Sequence, residues 1–223
     1  MAAETVPCEQ NSPEWFRARM GIPTASSFKT VMVTKGRGEG GESKTRRAYM
    51  HKLADEIVYG ELTPEAEYTD QNMERGHAME AEARDLYAFT RNVNVEQVGF
   101  IRNGQMGASP DGLVGKNGVL QIKTAFPHLI VGYLLRDEFP AEHKAQCQGE
   151  LLVTERDWID IAVYWPKRPL FVKRAFRDDV YIAEIAKAVE QFNAELAEVV
   201  DRVRRYGKPS DLREKLAMSA GAG

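Results

Sequence analysis

The sequence predicts an α/β domain in which helices flank a mixed central β-sheet. Three observations lead to this prediction. The chain has 223 residues, enough for one substantial domain with a buried core. Its patterns run in the order helices, strands, helices, strands, helix, which is typical of an α/β domain. No internal repeat or linker divides the chain, so we expect a single domain over residues 1–223.

The N-terminal part is predicted to be helical. Ser12, Pro13 and Glu14 provide an N-cap, a proline at the first helical position and an acidic first turn, which predict a helix over residues 14–20. A second helix begins near residues 24–26. The segment 35–43 holds four glycines and four charges and predicts a flexible loop. A third helix follows over residues 44–59 and ends at Gly60.

The middle of the chain predicts a long helix followed by three strands. Thr69 and Asp70 cap the helix, which continues to about residue 90 with apolar residues at helical spacing. Tight turns rich in Gly and Asn separate the strands. The strands cover residues 93–101, 107–114 and 118–123.

The C-terminal part predicts two helices, a β-hairpin and a last long helix. The two helices cover residues 127–135 and 141–153. The hairpin pairs residues 158–165 with residues 170–176. The last helix covers residues 178–206 and ends at Gly207, and residues 217–223 predict a disordered tail.

Composition narrows the class of protein. No apolar run approaches the ~18–20 residues that cross a bilayer, and the N-terminus lacks the features of a signal peptide. Cys8 and Cys147 are the only cysteines, too few for a disulfide framework, a Cys₄ zinc site or an iron–sulfur cluster. We therefore expect a cytoplasmic protein without a membrane partner.

Charge is distributed unevenly along the chain. The net charge of −3 argues against a simple non-specific nucleic-acid binder. Residues 29–52 nonetheless hold seven basic and two acidic side chains, and residues 55–85 hold ten acidic and two basic ones. Neighbouring segments of this kind suit a protein that holds phosphate at one place and a divalent metal at another. They also suit two ordinary solvated helix faces.

A short signature predicts the chemistry. Asp111 follows Pro110, and after nine further residues Gln121 opens the triplet Gln121, Ile122, Lys123. With Glu at position 121, this would be the Asp…Glu-x-Lys signature of a metal-dependent nuclease. Side chains alternate along a strand, so Gln121 and Lys123 share one face, and a hairpin lets Asp111 approach it.

These groups can hold Mg²⁺, with Mn²⁺ as a substitute. The carboxylate of Asp111 and the carbonyl of Ile122 are oxygen ligands of the kind that hard cations prefer. The ion would activate a water molecule, and Lys123 would orient it or stabilise the developing charge. The alternative is structural, because Pro-Asp-Gly is a common turn sequence and alternating polar residues on a strand usually face water.

Several separated sequence blocks occur in order between residues 15 and 165. They are residues 15–26, 76–80 with Ala83 and Arg84, 109–113, 120–123 and 145–148. In these blocks the chain resembles the phage lambda exonuclease family of viral recombination nucleases, within the superfamily named for Pro-Asp…(Asp/Glu)-x-Lys. The resemblance implies a restriction-endonuclease-like nuclease core.

The resemblance also implies roles for residues of the catalytic site. Asp111, the Gln121 position and Glu80 would ligate metal, together with the Ile122 carbonyl. Lys123 would be the catalytic lysine, and Gln146 would act near the scissile phosphate. The residues alone do not choose Glu80 over Glu74 or Glu82. Glu80 could also be an ordinary exposed glutamate, and Gln146 an ordinary polar position on an amphipathic helix.

A separate phosphate site is implied at Arg19, Thr24 and Ser26, where the family holds the 5′-phosphate of the degraded strand. A helix that begins at Thr24 would attract an anion, and Arg19 could add a charge-assisted contact. Alternatively, Thr24 or Ser26 is only an N-cap and Arg19 a surface charge. Met73 falls where the family has an apolar wedge that separates the strands, although a core methionine fits equally well.

The resemblance therefore predicts a Mg²⁺-dependent deoxyribonuclease. We expect a 5′-to-3′ exonuclease that degrades one strand of linear duplex DNA from a 5′-phosphorylated end and leaves a 3′ overhang. Its expected partners are two further copies in a homotrimeric ring and a single-strand annealing protein of recombination. The expected source is a bacterial cytoplasm, with a phage or prophage gene.

Gln121 departs from the family pattern and keeps alternatives open. The superfamily could tolerate an amide, this copy could be naturally impaired, or an engineered Glu→Gln exchange could trap substrate; the intact remainder of the site favours the last. Two other functions are also compatible with the sequence. One is an endonuclease or repair nuclease of the same superfamily, and the other is a catalytically silent module that binds DNA ends.

Overall fold

Eight strands and seven α-helices make up the described part of the chain. A computed structural model describes residues 2–36, 38, 41–62 and 71–208, with the backbone alone for 71–78. The strands are β1 (Glu4–Val6), β2 (Val95–Glu96), β3 (Phe100–Asn103), β4 (Met106–Ala108), β5 (Gly112–Val114), β6 (Gly118–Thr124), β7 (Trp158–Tyr164) and β8 (Phe171–Phe176). The helices are α1 (Pro13–Arg19), α2 (Phe28–Met32), α3 (Lys44–Tyr59), α4 (Gln71–Arg91), α5 (Pro127–Arg136), α6 (Lys144–Thr154) and α7 (Asp179–Arg205).

The strands form two sheets. The central sheet has five strands in the order β2, β5, β6, β7, β8, and a smaller sheet has the order β1, β3, β4. Strands β6 and β7 run parallel, with Gln121 opposite Ile161, while the other neighbours in the central sheet run antiparallel. The sheet is therefore mixed, which confirms the predicted fold class.

Helices cover both faces of the central sheet. On one face, Val119, Ile159 and Ile161 pack in a buried cluster with residues of α2, α3, α6 and α7. On the other face, Leu120 and Ile122 pack against α4 in a second cluster. Because neighbouring residues on a strand point to opposite faces, Gln121 lies on the same side as α6. The fold thus sets β6 between α4 and α6.

Local capping explains where several helices begin and end. The Ser12 side chain accepts a hydrogen bond from the backbone N–H of Trp15 at the start of α1. Ser43 does the same at α3, and Asp178 at α7. Helix α3 ends at Gly60, whose left-handed φ of 71° a glycine adopts without strain. Helix α7 presents a buried apolar stripe to the core: Ile182, Ile185, Val189, Phe192, Leu196 and Val200.

Two of the predicted strands are wrong in extent. The segments 93–101 and 107–114 each divide between the two sheets, as β2 with β3 and as β4 with β5. In the first crossing, the backbone at Gly99 passes close to Cys8. Glycine is needed there, because an added Cβ would lie 1.9 Å from the carbonyl oxygen of Cys8. Pro110, which lacks a backbone N–H, lies in the second crossing and cannot donate to a sheet ladder. This second crossing carries Asp111 to the end of the central sheet.

Other differences are smaller. Strand β1 was not predicted, and the helix expected from residue 141 begins as a 3₁₀ turn (Ala141–His143) before α6. The helical segment after Thr24 is a 3₁₀ turn (Ala25–Ser27) followed by the five residues of α2. In the predicted loop 35–43, Lys35 pairs with Glu42 in an isolated antiparallel bridge. Thr69, Asp70 and the predicted tail 217–223 lie outside the described residues.

Candidate active site

Polar side chains converge at the end of β6, between α4 and α6. Asp111 comes from the crossing before β5, Gln121 and Lys123 from β6, Glu80 from α4 and Gln146 from α6. The predicted catalytic residues therefore lie in one region of the structure. Their individual contacts define what the site can do.

Asp111 is a buried acid of the site with hydrogen bonds to both its side chain and its backbone. It is 8% exposed, and its Oδ2 accepts a hydrogen bond from the backbone N–H of Ile122 at 2.5 Å. The same oxygen accepts a hydrogen bond from the side-chain amide of Gln121. Its backbone carbonyl accepts a hydrogen bond of 2.9 Å from Nε of Arg84. Both ends of Asp111 are thus fixed by neighbours from β6 and α4.

The environment of Asp111 disfavours its negative charge. Burial and, to a smaller extent, the nearby carboxylate of Glu80 raise the pKa of Asp111 to about 7. The backbone N–H of Ile122 and the charges of Lys123 and Arg84 act in the opposite direction. Two acids in a partly dry site therefore attract either a proton or a cation.

The amide of Gln121 lies between two oxygen acceptors. Gln121 is 4% exposed, and its Nε2 donates to Oδ2 of Asp111 and, at 3.2 Å, to the carbonyl of Ile122. Its Oε1 accepts a hydrogen bond from Nε2 of Gln146 at 3.1 Å. An amide nitrogen of this kind has no free lone pair for a cation. Coordination by Gln121 would require the amide to turn its oxygen toward Asp111.

Arg84 joins Glu80 to the site, and sequence reasoning assigned it no role. Its Nη2 donates to Oε1 of Glu80 at 2.5 Å, while its Nε holds the carbonyl of Asp111. Glu80 is half-buried and acts electrostatically on Asp111. Glu82 instead interacts with Tyr164, and the side chain of Glu74 lies outside the described residues.

Lys123 is half-buried on the same face of β6 as Gln121. Its positive charge lowers the pKa of Asp111 and of Glu150 against the larger effect of burial. The lysine thus lies within electrostatic range of two acids, where an ammonium group can stabilise developing negative charge.

Gln146 connects β6 with a buried acid of α6. Its Nε2 donates to Oε1 of Gln121 at 3.1 Å and to Oε1 of Glu150 at 2.9 Å. Glu150 lies four residues further along α6 and is 1% exposed. Sequence reasoning missed Glu150, although the spacing of four residues puts it on the helix face of Gln146.

The predicted phosphate site lies next to the turn that carries Asp111. Arg19 Nη1 donates to Oγ of Ser109 at 3.0 Å, and the guanidinium lies 4.1 Å from the centre of the Trp15 ring. Ser109 comes two residues before Asp111 and also accepts a hydrogen bond from the indole of Trp15 at 2.8 Å. Burial lowers the pKa of Arg19, and the nearby Tyr49 acts against this effect.

Thr24 and Ser26 form the other part of this group. Their hydroxyls lie 3.2 Å apart, and the backbone N–H of Thr24 donates to the hydroxyl of Tyr49 at 3.2 Å. Tyr49 therefore accepts a hydrogen bond from Thr24 and acts electrostatically on Arg19, a connection that the sequence did not indicate. A helical segment begins after Thr24, as predicted, but it consists of a 3₁₀ turn and the five residues of α2, so its dipole is short.

The oxygens of the site fit a hard divalent cation only in part. The donors are the carboxylates of Asp111 and Glu80 and the carbonyl of Ile122, with the Gln121 oxygen available after the amide turns. Within the described residues, no three His, Cys, Asp or Glu side chains gather in an arrangement that could hold a metal ion. A Glu at position 121 would add a third acid. The side chain of Met73, the predicted wedge, lies outside the described residues.

The mixed sheet and this set of acid, amide and lysine define an α/β core of the nuclease type. The sequence profile of the YqaJ-like viral recombinase domain matches residues 14–157, and the chain belongs to this family. A comparison with curated proteins gave no match. None of the helices in the described ranges has the length and apolar character needed to span a membrane.

Solved structures agree with this assignment. The chain is similar to the crystal structure of an alkaline exonuclease, LHK-Exo, from Laribacter hongkongensis, with a TM-score of 0.77 and 30% identity over 90% of this chain and 100% of that one. The structure of LHK-Exo in complex with dAMP matches with a TM-score of 0.78 and 32% sequence identity, again over 90% of this chain and 100% of that one. A phage-related exonuclease from Haemophilus somnus shares the fold, with a TM-score of 0.60, 14% identity and coverage of 82% of this chain and 96% of that one. The family and the LHK-Exo structures support a nuclease.

Proposed function

We propose that this chain is a metal-dependent 5′-to-3′ exonuclease that degrades one strand of linear duplex DNA. The observation that carries the proposal is the hydrogen-bonded connection from Arg19 through Ser109 to the turn of Asp111. It joins a cationic group suited to a terminal phosphate with an acidic group suited to a metal ion. A nuclease that starts from a phosphorylated end uses both kinds of group.

The residues at the end of β6 would each have a chemical task. Asp111, Glu80 and the carbonyl of Ile122 would hold Mg²⁺, and Mn²⁺ could substitute for it. When bound, the ion supplies an activated water and polarises the phosphate. Lys123 orients the nucleophile or stabilises the developing charge, and Gln146 presents its amide near the scissile phosphate.

The remaining groups would determine where digestion starts. Arg19 offers a guanidinium that can bind a phosphate through two parallel hydrogen bonds, and the hydroxyls of Thr24 and Ser26 offer further donors. We propose that they bind the 5′-phosphate and that digestion leaves a 3′ overhang. The complex of LHK-Exo with dAMP, a mononucleotide, supports a nucleotide site in a related chain.

Assembly and partners belong to the same proposal. A homotrimeric ring around the duplex would confine the DNA and would suit a chain whose net charge is −3. A single-strand annealing protein would receive the overhang, in agreement with a viral recombinase family. We propose that a phage or prophage gene encodes the chain and that it acts in the bacterial cytoplasm. The apolar wedge assigned to Met73 stays a prediction.

A second candidate function rests on Gln121. Because its amide nitrogen, rather than an acid, faces Asp111, the chain could bind DNA ends without cutting them. Ca²⁺-supported binding to ends, with no digestion in Mg²⁺ even by Gln121→Glu, would favour this silent module.

Three DNA substrates test the exonuclease proposal. We expect Mg²⁺-dependent loss of a linear duplex with 5′-phosphates, slower loss of the same duplex with 5′-hydroxyls, and no change in a closed circle. Cutting of the closed circle would favour an endonuclease of the same superfamily. Native gel filtration with light scattering tests the trimer, for which we expect about three times the mass of one chain.

A further inference from the structure

Glu150 is a buried carboxylate with an incomplete set of partners. It is 1% exposed, and its Oε1 accepts one hydrogen bond, from Nε2 of Gln146 at 2.9 Å. Its Oε2 has no hydrogen-bond partner among the described residues. Burying a carboxylate is costly unless it is well paired. A purely structural role would be filled more favourably by an amide or an apolar side chain of similar size.

Glu150 is connected to the residue that breaks the nuclease signature. Nε2 of Gln146 donates to Glu150 and also to Oε1 of Gln121. A continuous row of three polar side chains therefore runs from β6 into the interior beside α6. Gln121 is the residue at which the signature lacks a negative charge.

Glu150 also lies in the electrostatic field of the same site. Burial raises the pKa of Glu150 to about 8, and the charge of Asp111 contributes to this rise. The hydrogen bond from Gln146 and the charge of Lys123 act in the opposite direction. The acid and the lysine that flank Gln121 are thus also neighbours of Glu150.

We propose that Glu150 supplies the negative charge that Gln121 lacks, as a positioning residue that acts through Gln146 on the metal-binding end of the site. The inference rests on the proposed function. The acid expected on β6 is then held on α6. A divalent cation near Asp111 favours the ionised form of Glu150, and the resulting negative charge stabilises the cation without touching it. The absence of a three-acid metal cluster among the described residues agrees with an indirect role.

Four versions of the chain test whether Glu150 supplies the missing negative charge. They are the parent, Glu150→Gln, Gln121→Glu and the double exchange, which combines both substitutions. Glutamine at 150 keeps an oxygen that can accept from Gln146, so only the charge is lost. Glu198→Gln, on the exposed side of α7, is the matched control for the loss of one negative charge. Mn²⁺ binding is measured by calorimetry, and thermal unfolding and Mg²⁺-dependent digestion are measured on the same chains.

We expect Glu150→Gln to weaken Mn²⁺ binding by about tenfold or more, as is typical for residues that support metal ligands. Its thermal stability without metal should be unchanged or higher, because a poorly paired buried acid is gone. The double exchange, which returns the acid to position 121, should bind Mn²⁺ at least as tightly as the parent. Glu198→Gln should bind Mn²⁺ as the parent does.

Several results would overturn the inference. Parent-like Mn²⁺ binding by Glu150→Gln would do so, as would a double exchange that binds no better than Glu150→Gln. Loss of folded protein on Glu150→Gln would assign Glu150 a structural role instead. In these three cases, the proposed function still holds if the parent or Gln121→Glu digests DNA. Failure of all four chains to bind Mn²⁺ and to digest DNA would overturn both proposals.

Discussion

The side-chain nitrogen of Gln121 donates a hydrogen bond to Oδ2 of Asp111. It also reaches the carbonyl of Ile122, so an amide N–H₂ group fills the space between two oxygens that suit a cation. This arrangement satisfies both oxygens without a metal. A cation that binds at these two oxygens would displace the amide N–H₂ group, and a glutamate at the same position would remove that requirement.

Asp111 should make stability depend on pH. Burial and the charge of Glu80 raise the pKa of Asp111 to about 7, above the value of ~4 in an unfolded chain. The folded state then binds one more proton at Asp111 between these two values, so the contribution of Asp111 to stability is greatest below pH ~4 and is lost as the pH rises through about 7. We expect the neutral variant Asp111→Asn to melt about 2–4 °C higher than the parent at pH 8, equivalent to about 1 kcal/mol.

Thermal unfolding at pH 4 and pH 8 in the presence of a chelator checks this expectation. The difference between Asp111→Asn and the parent should nearly vanish at pH 4, where both side chains are neutral. A difference of equal size at both pH values would mean that lost hydrogen bonds, rather than buried charge, determine the effect.

Arg19 should determine the preference for a phosphorylated end. A hydrogen bond to a charged group contributes about 1.5–3 kcal/mol, so Arg19→Ala should reduce the rate advantage of 5′-phosphate over 5′-hydroxyl ends by about tenfold to a hundredfold. Arg19→Lys should retain part of it, because lysine keeps the charge but not the planar donor geometry. Arg17→Ala, on the exposed side of α1, is the control.

Initial digestion rates on the two kinds of end give the measurement. If Arg19→Ala slows both substrates equally, the residue supports the fold or the DNA in general and does not read the end. A melting curve of Arg19→Ala identifies a loss of folded protein, since its hydrogen bond to Ser109 is also removed.

Gly149 should tolerate no side chain. An added Cβ would lie 2.5 Å from Cδ2 of Phe28, whose ring is fully buried, and 3.4 Å from Cβ of Ala25. We expect Gly149→Ala to lower the free energy of unfolding by about 1–3 kcal/mol, the usual cost of overpacking. Urea unfolding of the parent and the variant measures the difference.

Gly132, in the interior of α5, is the matched control. The nearest atoms to an added Cβ are 3.5 Å away and belong to the flexible side chain of Arg136. Gly132→Ala should therefore raise the free energy of unfolding by about 0.5–1 kcal/mol, because glycine is unfavourable inside a helix. Equal effects of the two exchanges would show that close packing at Phe28 is not the cause.

Local signals were enough to predict most helices. Helix α3 begins directly after its N-cap Ser43 and ends at Gly60, so local residues mark both ends of the helix. The strands were less predictable because sheet membership depends on distant partners. Residues 93–101 have a continuous strand pattern, yet β2 pairs with β5 and β3 pairs with β1 and β4.

The same distinction applies to the site. Alternation along β6 was enough to predict that Gln121 and Lys123 share a face, and the short hairpin before β6 was enough to predict that Asp111 can approach it. The supporting contacts of Arg84, Ser109 and Tyr49 depend on how separate elements pack, so their own sequence neighbourhoods do not indicate them. Glu150 could have been noticed, since it lies four residues after Gln146 and directly precedes an apolar run of α6.

Digestion of a 5′-phosphorylated linear duplex in Mg²⁺ by the parent and by Gln121→Glu tests the central claim most directly. We expect both to degrade the duplex and Gln121→Glu to be faster by about tenfold or more, equivalent to about 1.4 kcal/mol of barrier. Equal rates would contradict a metal-binding role for position 121. Intact duplex with both chains, at any Mg²⁺ or Mn²⁺ concentration, would contradict the assignment of a nuclease.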